Sequence, residues 1–363
     1  MGTVVVTGAA GSLGPRVVAR LVRDGRVDRV IGVDTEPMVG FPAPVGPLVV
    51  DLSEEGEPGD ALEAACAGAD GIIHLAWRTA DGRGEDRAGR QRAAATNHRS
   101  LERILAAAAR GGVRSFVHLS SATVYGAWPD NPVPLSEDSL LRPNPEFGFA
   151  VEKADAEQRI AGWAEDHPEV AVAVLRPTVT VGSPERPLYR ALGGTDAPGS
   201  EGGTRPVQFL HVDDLAEAVV LAWQRRLRGP FNVAPDSGTA EATARALAGG
   251  VARVRLPVRL AQAVASWSWD LWRLGVPREA AAYATHPWVV APDRLKAIGW
   301  TPLFTSEEAL VATDVRPHWD DLPPGRRQNY TLLAVIGATV IVVSGVVLAA
   351  SAVRRRRRSR TTD

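Results

Sequence analysis

The first fourteen residues restrict the fold more than any other stretch of the chain. An apolar run, Thr3–Thr7, passes directly into Gly8-Ala9-Ala10-Gly11-Ser12-Leu13-Gly14, so a short strand ends in a turn of small residues. Beyond it, Pro15 sits where a first helical turn tolerates proline, and Val17, Val18, Leu21 and Val22 form one apolar stripe, which predicts a helix over 14–23. Such a turn lets backbone N–H groups approach an anion, and the helix aims its positive dipole end at the same point, so a pyrophosphate is the expected guest. A second apolar run, Val30–Val33, ends in Asp34, twenty residues beyond Gly14. A carboxylate there accepts hydrogen bonds from both hydroxyls of an adenosine ribose and repels a 2′-phosphate, so NAD is expected over NADP. Glycines alone also mark ordinary strand-to-helix turns. The strand before, the helix after and the acid at the next strand end make the pattern specific.

Short apolar runs alternate with helical patterns over the first half of the chain. Strands are predicted at 3–7, 29–33, 47–50, 71–75, 115–119 and 171–176, with 207–211 and 231–233 later, and helices near 14–23, 60–67, 86–110 and 147–166. This alternation is the signature of an α/β doubly wound parallel sheet, whose ligands sit at the carboxyl ends of the strands. The 363 residues suit such a domain with a smaller appendage. Segment 183–205 is rich in Gly, Pro and charge and reads as a loop over the site, while 236–315 reads as a small, more helical and irregular subdomain. Apolar Leu256–Gly275, with Trp267, Trp269 and Trp272, reads as core or substrate lid, or as a segment at a lipid interface.

A net charge of −1 argues against nucleic acid as a partner. Cys66 is the only cysteine, so no intrachain disulfide forms, and Lys153 and Lys296 are the only lysines in an arginine-rich chain. No zinc spacing, P-loop or G-x-S-x-G elbow is present, and no metal site is expected. Residues 316–330, with Pro317, Pro323 and Pro324, read as a linker, and Thr331–Val353 is an uncharged apolar run followed by an Arg-rich tail over 354–363. Roughly 20 apolar residues cross a bilayer, so 331–353 is expected to be a single C-terminal transmembrane helix. No signal peptide precedes the first strand, and the main domain is expected on the cytoplasmic side, although the arginines of the tail favour that side too.

Several local patterns agree with one family. Asp51-Leu52 follows the third strand, His74-Leu75-Ala76 closes the fourth, Asn97 lies on the long helix, and Phe116–Gly126 reads Phe-Val-His-Leu-Ser-Ser-Ala-Thr-Val-Tyr-Gly. With Leu175-Arg176-Pro177, Phe209–Ala216 and Leu295–Pro302, these stretches resemble the extended short-chain dehydrogenase/reductase family, in its NAD-dependent epimerase/dehydratase group, over roughly residues 1–315. The resemblance implies a Rossmann domain over 1–177, with strand and helix contributions from 206–234, and a substrate-binding subdomain mainly over 178–315. It implies that Gly8, Gly11, Ser12, Leu13, Gly14, Asp34, Asp51, Leu52, His74, Leu75, Ala76, Asn97, Lys153 and Pro177 hold NAD, and that Ser121 and Lys153 are catalytic. A small-molecule substrate is implied, a nucleotide sugar or another hydroxyl or keto compound, and pairing as a homodimer is left open.

The family's proton-transferring tyrosine stands four residues before the lysine, one turn away on the same helix face. Here Phe149 stands four residues before Lys153. A benzyl side chain has no ionisable oxygen, and loss of a positioned acid or base forfeits about 10²–10⁴ in rate. The expected function is therefore a membrane-anchored NAD-dependent oxidoreductase or epimerase with an altered proton relay, or a catalytically silent NAD-binding protein. Glu146, Tyr125, Thr123 or a water beside Ser121 are the candidate substitutes for the missing hydroxyl.

Overall fold

The structure is a computed structural model that describes residues 2–38, 40–41, 44–78, 87–182, 205–247 and 278–312. In chain order its strands are β1 (Gly2–Thr7), β2 (Val27–Asp34), β3 (Val45–Val49), β4 (Gly71–His74), β5 (Ser115–Leu119), β6 (Ala171–Pro177), β7 (Val179–Val181), β8 (Pro206–Val207), β9 (Phe209–His211), β10 (Gly229–Val233) and β11 (Thr239–Ala240). Seven of them form one parallel sheet in the order β10-β6-β5-β4-β1-β2-β3. The chain winds outward from β1 to β3, then restarts at β4 on the other side of β1. The crevice between β1 and β4 is therefore the topological switch point, where open α/β sheets bind their ligands.

The strand residues alternate between two cores because successive side chains point to opposite faces. Val4 and Val6 face α1 (Gly14–Arg23) and the later helix over Val212–Gln224, meeting Val17, Val18, Leu21, Leu215 and Val219. Val5 faces the other way with Ile31, Val33 and Ile72, against Leu62 and Cys66 of α2 (Glu57–Cys66), Leu101 and Ile104 of α3 (Arg87–Gly111), and Ile160 of α4 (Gly148–Asp166). Both faces of the sheet are thus covered, as a purely parallel sheet requires. A third apolar cluster, with Tyr125, Phe147, Phe209, Tyr283 and Trp288, lies beyond the strand ends and underpins the part of the unit expected to take substrate.

One expected strand is two. Residues 207–211 split at Gln208 into β8, antiparallel to β11, and β9, parallel to β7. The side chain of Gln208 explains the break: its Nε2 donates to the Val290 carbonyl at 3.0 Å and its Oε1 accepts from the Val290 amide at 2.8 Å. A buried amide side chain takes over the pairing that a continuous ladder would supply.

Residues Met1–Val315 form one compact unit and Arg316–Asp363 a second. The linker, the apolar run 331–353 and the Arg-rich tail lie outside the described residues, as do the loop over 183–204 and the tryptophan-bearing stretch within 248–277. Among the described residues, no helix is long and apolar enough to cross a membrane.

Candidate active site

A cleft of about 750 Å³ opens along the carboxyl ends of the parallel strands. Its adenosine-sized end is walled by Asp34, Thr35, Glu36, Asp51 and Leu52, its middle by Gly8, Gly11, Ser12, Leu13 and Gly14, and its other end by Ser120, Ser121, Phe149, Lys153, Pro177 and Thr178. Residues far apart in sequence thus meet along one wall because each follows a strand of the same sheet.

The glycine turn is built for close approach. Gly8 has a φ of +69°, in the left-handed region that glycine tolerates, and a side chain on it would come within 2.7 Å of the Ala76 amide nitrogen. A Cβ on Gly14 would run into the carbonyl oxygens of Gly8 and Ala9. The loop is pinned from the next strand: Asp34 Oδ2 accepts from the Ala10 amide at 2.9 Å, and its Oδ1 accepts from the Thr35 amide at 2.7 Å. Asp51 is held in turn by the Ser53 amide at 2.8 Å and hydroxyl at 2.7 Å. Burial raises its pKa, but the Ser53 hydrogen bonds and the nearby Arg78 and Arg99 outweigh this and keep it below the usual carboxylate range. A ring of acceptors at one end and a bare backbone turn in the middle fit the ribose, adenine and pyrophosphate of a dinucleotide.

At the other end, Ser121 caps the short helical turn Ala122–Tyr125. Its Oγ accepts from the Thr123 amide at 3.2 Å and from Thr123 Oγ1 at 2.9 Å. The Ser121 hydroxyl can turn its own hydrogen towards a ligand oxygen in the cleft. Lys153 projects from α4 and is only 4% exposed. Its Nζ donates to the Leu119 carbonyl at 2.7 Å and sits 3.6 Å from the centroid of the Trp77 ring. Burial drives this lysine down to about 7, with Glu157 and Glu152 pulling the other way. Phe149 forms part of the cleft wall one turn earlier and packs against Phe147, with ring centroids 5.7 Å apart.

Two expected site residues are engaged by neighbouring groups of the chain. His74 is 1% exposed, does not line the cleft, and pairs its Nδ1 with Thr7 Oγ1 at 2.7 Å. It belongs to the frame, because the last residue of β4 points into the sheet packing and only Leu75 and Ala76, past the strand end, reach the cleft. Asn97 touches the cleft but spends its amide on the chain after β4: Oδ1 accepts from the Arg78 amide at 2.8 Å and Nδ2 donates to the Arg78 carbonyl at 2.9 Å. The candidate substitutes for the missing tyrosine are also displaced. Tyr125 is 1% exposed, with its hydroxyl between Arg176 Nη1 at 2.7 Å and Asn232 Oδ1 at 2.8 Å. Burial pushes that phenol up to about 12. Thr123 is buried behind Ser121, and Glu146 is exposed and outside the cleft lining. His211 caps the helix Val212–Gln224, its Nδ1 accepting from the Asp213 amide at 3.2 Å.

Several residues of the site are not among those expected from sequence. Trp77 and Arg78 continue the segment after Ala76 into the cleft, and Thr178 and Thr180 continue the segment after Pro177. Behind the wall, Arg176 donates to Glu157 from Nε at 3.1 and 3.0 Å and from Nη2 at 2.6 Å, while Ser120 Oγ donates to Glu157 Oε1. The one available signal was position: Trp77, Thr178, Arg176 and Ser120 each adjoin a residue already marked by motif, whereas Arg78, Thr180 and Glu157 do not.

The sheet order and the cleft define a doubly wound dinucleotide-binding protein. More narrowly, the chain belongs to the NAD dependent epimerase/dehydratase family, whose model matches residues 4–234. An uncharacterised protein of Mycobacterium tuberculosis is 28% identical over 316 residues, covering 85% of this chain and 82% of that one. A dTDP-glucose 4,6-dehydratase of Streptomyces antibioticus is 30% identical over 265 residues, covering 68% of this chain and 75% of its own. The fold is shared with a crystal structure of Thermus thermophilus UDP-glucose 4-epimerase in complex with NAD, at a TM-score of 0.64 and 21% identity, over 86% of this chain and 97% of that one.

Proposed function

We propose that this chain is an NAD-dependent oxidoreductase of the epimerase type, acting on a hydroxyl or keto group of a nucleotide sugar and held at a membrane by residues 331–353. The observation that carries the reading is that the glycine turn, Asp34, Ser121 and Lys153 line one cleft across the switch point of the sheet. The backbone of 8–14 and the N-terminus of α1 would hold the pyrophosphate, Asp34 the adenosine ribose, Asp51 and Leu52 the adenine, and Lys153 the nicotinamide ribose. Bound there, NAD supplies a hydride acceptor. Ser121 donates its hydrogen to the substrate oxygen, and Phe149 keeps that end of the cleft dry. NAD should raise the melting temperature of the full chain, since a ligand that binds only the native state stabilises it, and NADP should raise it less. No shift with NAD at millimolar concentration sinks the reading.

Phe149 favours a second reading, a catalytically silent NAD-binding module. Turnover of UDP-glucose or dTDP-glucose by the unmodified chain decides against it, whereas tight NAD binding without turnover, even after Phe149→Tyr, decides for it.

A further inference from the structure

We infer that Lys153 is itself the group that takes and returns the proton at the substrate oxygen, in place of a hydroxyl on residue 149. This rests on the reading of the cleft as an NAD site and names the chemistry of its reactive end: interconversion of a secondary alcohol and a ketone.

The first ground is the census of that end. Among the described residues, Ser120, Ser121, Phe149, Lys153, Thr178 and Thr180 line it, and Lys153 is the one of these six that carries an acid–base group. The carboxylates of the cleft, Asp34, Glu36 and Asp51, follow β2 and β3. Three strand spacings separate β5 from β2, so they stand about 14 Å away or more. The second ground is Ser121. Its Oγ accepts from the Thr123 amide and shares a hydrogen bond with Thr123 Oγ1, so it can turn a hydrogen towards a substrate oxygen but carries no basic group to keep a proton.

The third ground is the setting of the amine. Helix α4 places Glu152 and Glu157 beside it, β4 contributes His74, and β5 contributes His118. Glu157 is engaged by Arg176 and Ser120, and Glu152 accepts from Asn97 Nδ2 at 3.2 Å. Both histidines are buried and held below their ordinary range by burial, so they stay neutral beside the ammonium. The Leu119 carbonyl and the Trp77 face stabilise the charged form, burial the neutral one. Both forms are therefore within reach, as a group that alternates between base and acid requires.

The step balances. As the carbinol C–O bond becomes C=O, the hydroxyl proton forms an N–H bond on neutral Nζ, and the hydride from the same carbon passes to the nicotinamide; the reverse reaction returns both.

Because Lys153 and Lys296 are the only lysines, the full chain labelled with ¹³Cε-lysine gives two signals, and Lys296→Arg leaves the one of interest. In the NAD complex that signal should titrate with a midpoint within about one unit of 7. Lys153→Arg, measured at saturating NAD, should lose about 10²-fold or more in kcat on UDP-glucose and the acidic limb of its pH profile. A lysine still charged at pH 9 in the NAD complex overturns the inference, as does a Lys153→Arg variant within threefold of the parent rate. Failure of NAD to perturb the lysine signal or the melting temperature instead overturns the cofactor reading.

Discussion

Lys153 links stability to pH through a single side chain. In the unfolded chain a lysine titrates near 10.4, whereas burial lowers this one to about 7 in the folded protein. Below 7 it is charged in both states and the cost of burying an ammonium is borne in full. Between 7 and 10.4 the native protein holds fewer protons than the unfolded chain, so stability rises with pH across that window. Lys153→Met lacks this slope. The variant should be more stable than the parent at pH 6.5, and its advantage should shrink steadily towards pH 10, as urea unfolding at both pH values would measure. At the opposite end of the cleft, Asp34 anchors Ala10 and is assigned to a ribose. Hydrogen bonds to a charged acceptor contribute about 1.5–3 kcal/mol, so Asp34→Ala should weaken NAD binding by roughly 10- to 150-fold in calorimetry.

At the scale of elements, α4 and β6 are joined by the pair Arg176–Glu157, whose side chains are 6% and 5% exposed. Removing one partner of a buried pair leaves an uncompensated charge and costs about 3–5 kcal/mol. Glu157→Ala should lose that much in urea unfolding, far more than Asp155→Ala, whose ion pair with Arg159 on the same helix is exposed. The turn between β1 and α1 makes a different prediction. Gly14→Val places carbon against the Gly8 and Ala9 carbonyls, so the variant should fold with a displaced loop and lose the melting shift given by NAD. These elements were the part of the structure most legible in the sequence. The parallel strands and α1 to α4 fall close to where apolar period and breakers place them, because a sheet buried on both faces writes continuous apolar runs. The break at Gln208 was not legible: a side chain replacing a ladder bond depends on Val290, far along the chain. Site residues after strand ends were legible as motifs. That His74 packs inside the sheet was not legible, because a motif gives sequence position but not which way the last side chain of a strand points. Trp77 was missed because a tryptophan beside a motif does not announce that its face will lie on a lysine.

The whole molecule combines a dinucleotide cleft with an apolar run near its C-terminus. Full-length protein should sediment with membranes and resist a carbonate wash, while a chain stopped after Tyr330 should move to the supernatant and keep its NAD-dependent melting shift. Across the compact unit, one hydrogen-bonded chain runs from Ser120 through Glu157, Arg176 and Tyr125 to Asn232, whose amide donates to Glu137 Oε1 at 2.9 Å. It joins β5, α4, β6 and β10 behind the reactive end. Effects within such a network do not add: Tyr125→Phe and Asn232→Ala together should cost less than the sum of their separate losses. For the descent of the chain this has a consequence. Each member of that buried line has its polar atoms spent on its neighbours, so a change at one leaves a buried group unpaired at the next, whereas residue 149 faces the cleft and has no polar partner to strand.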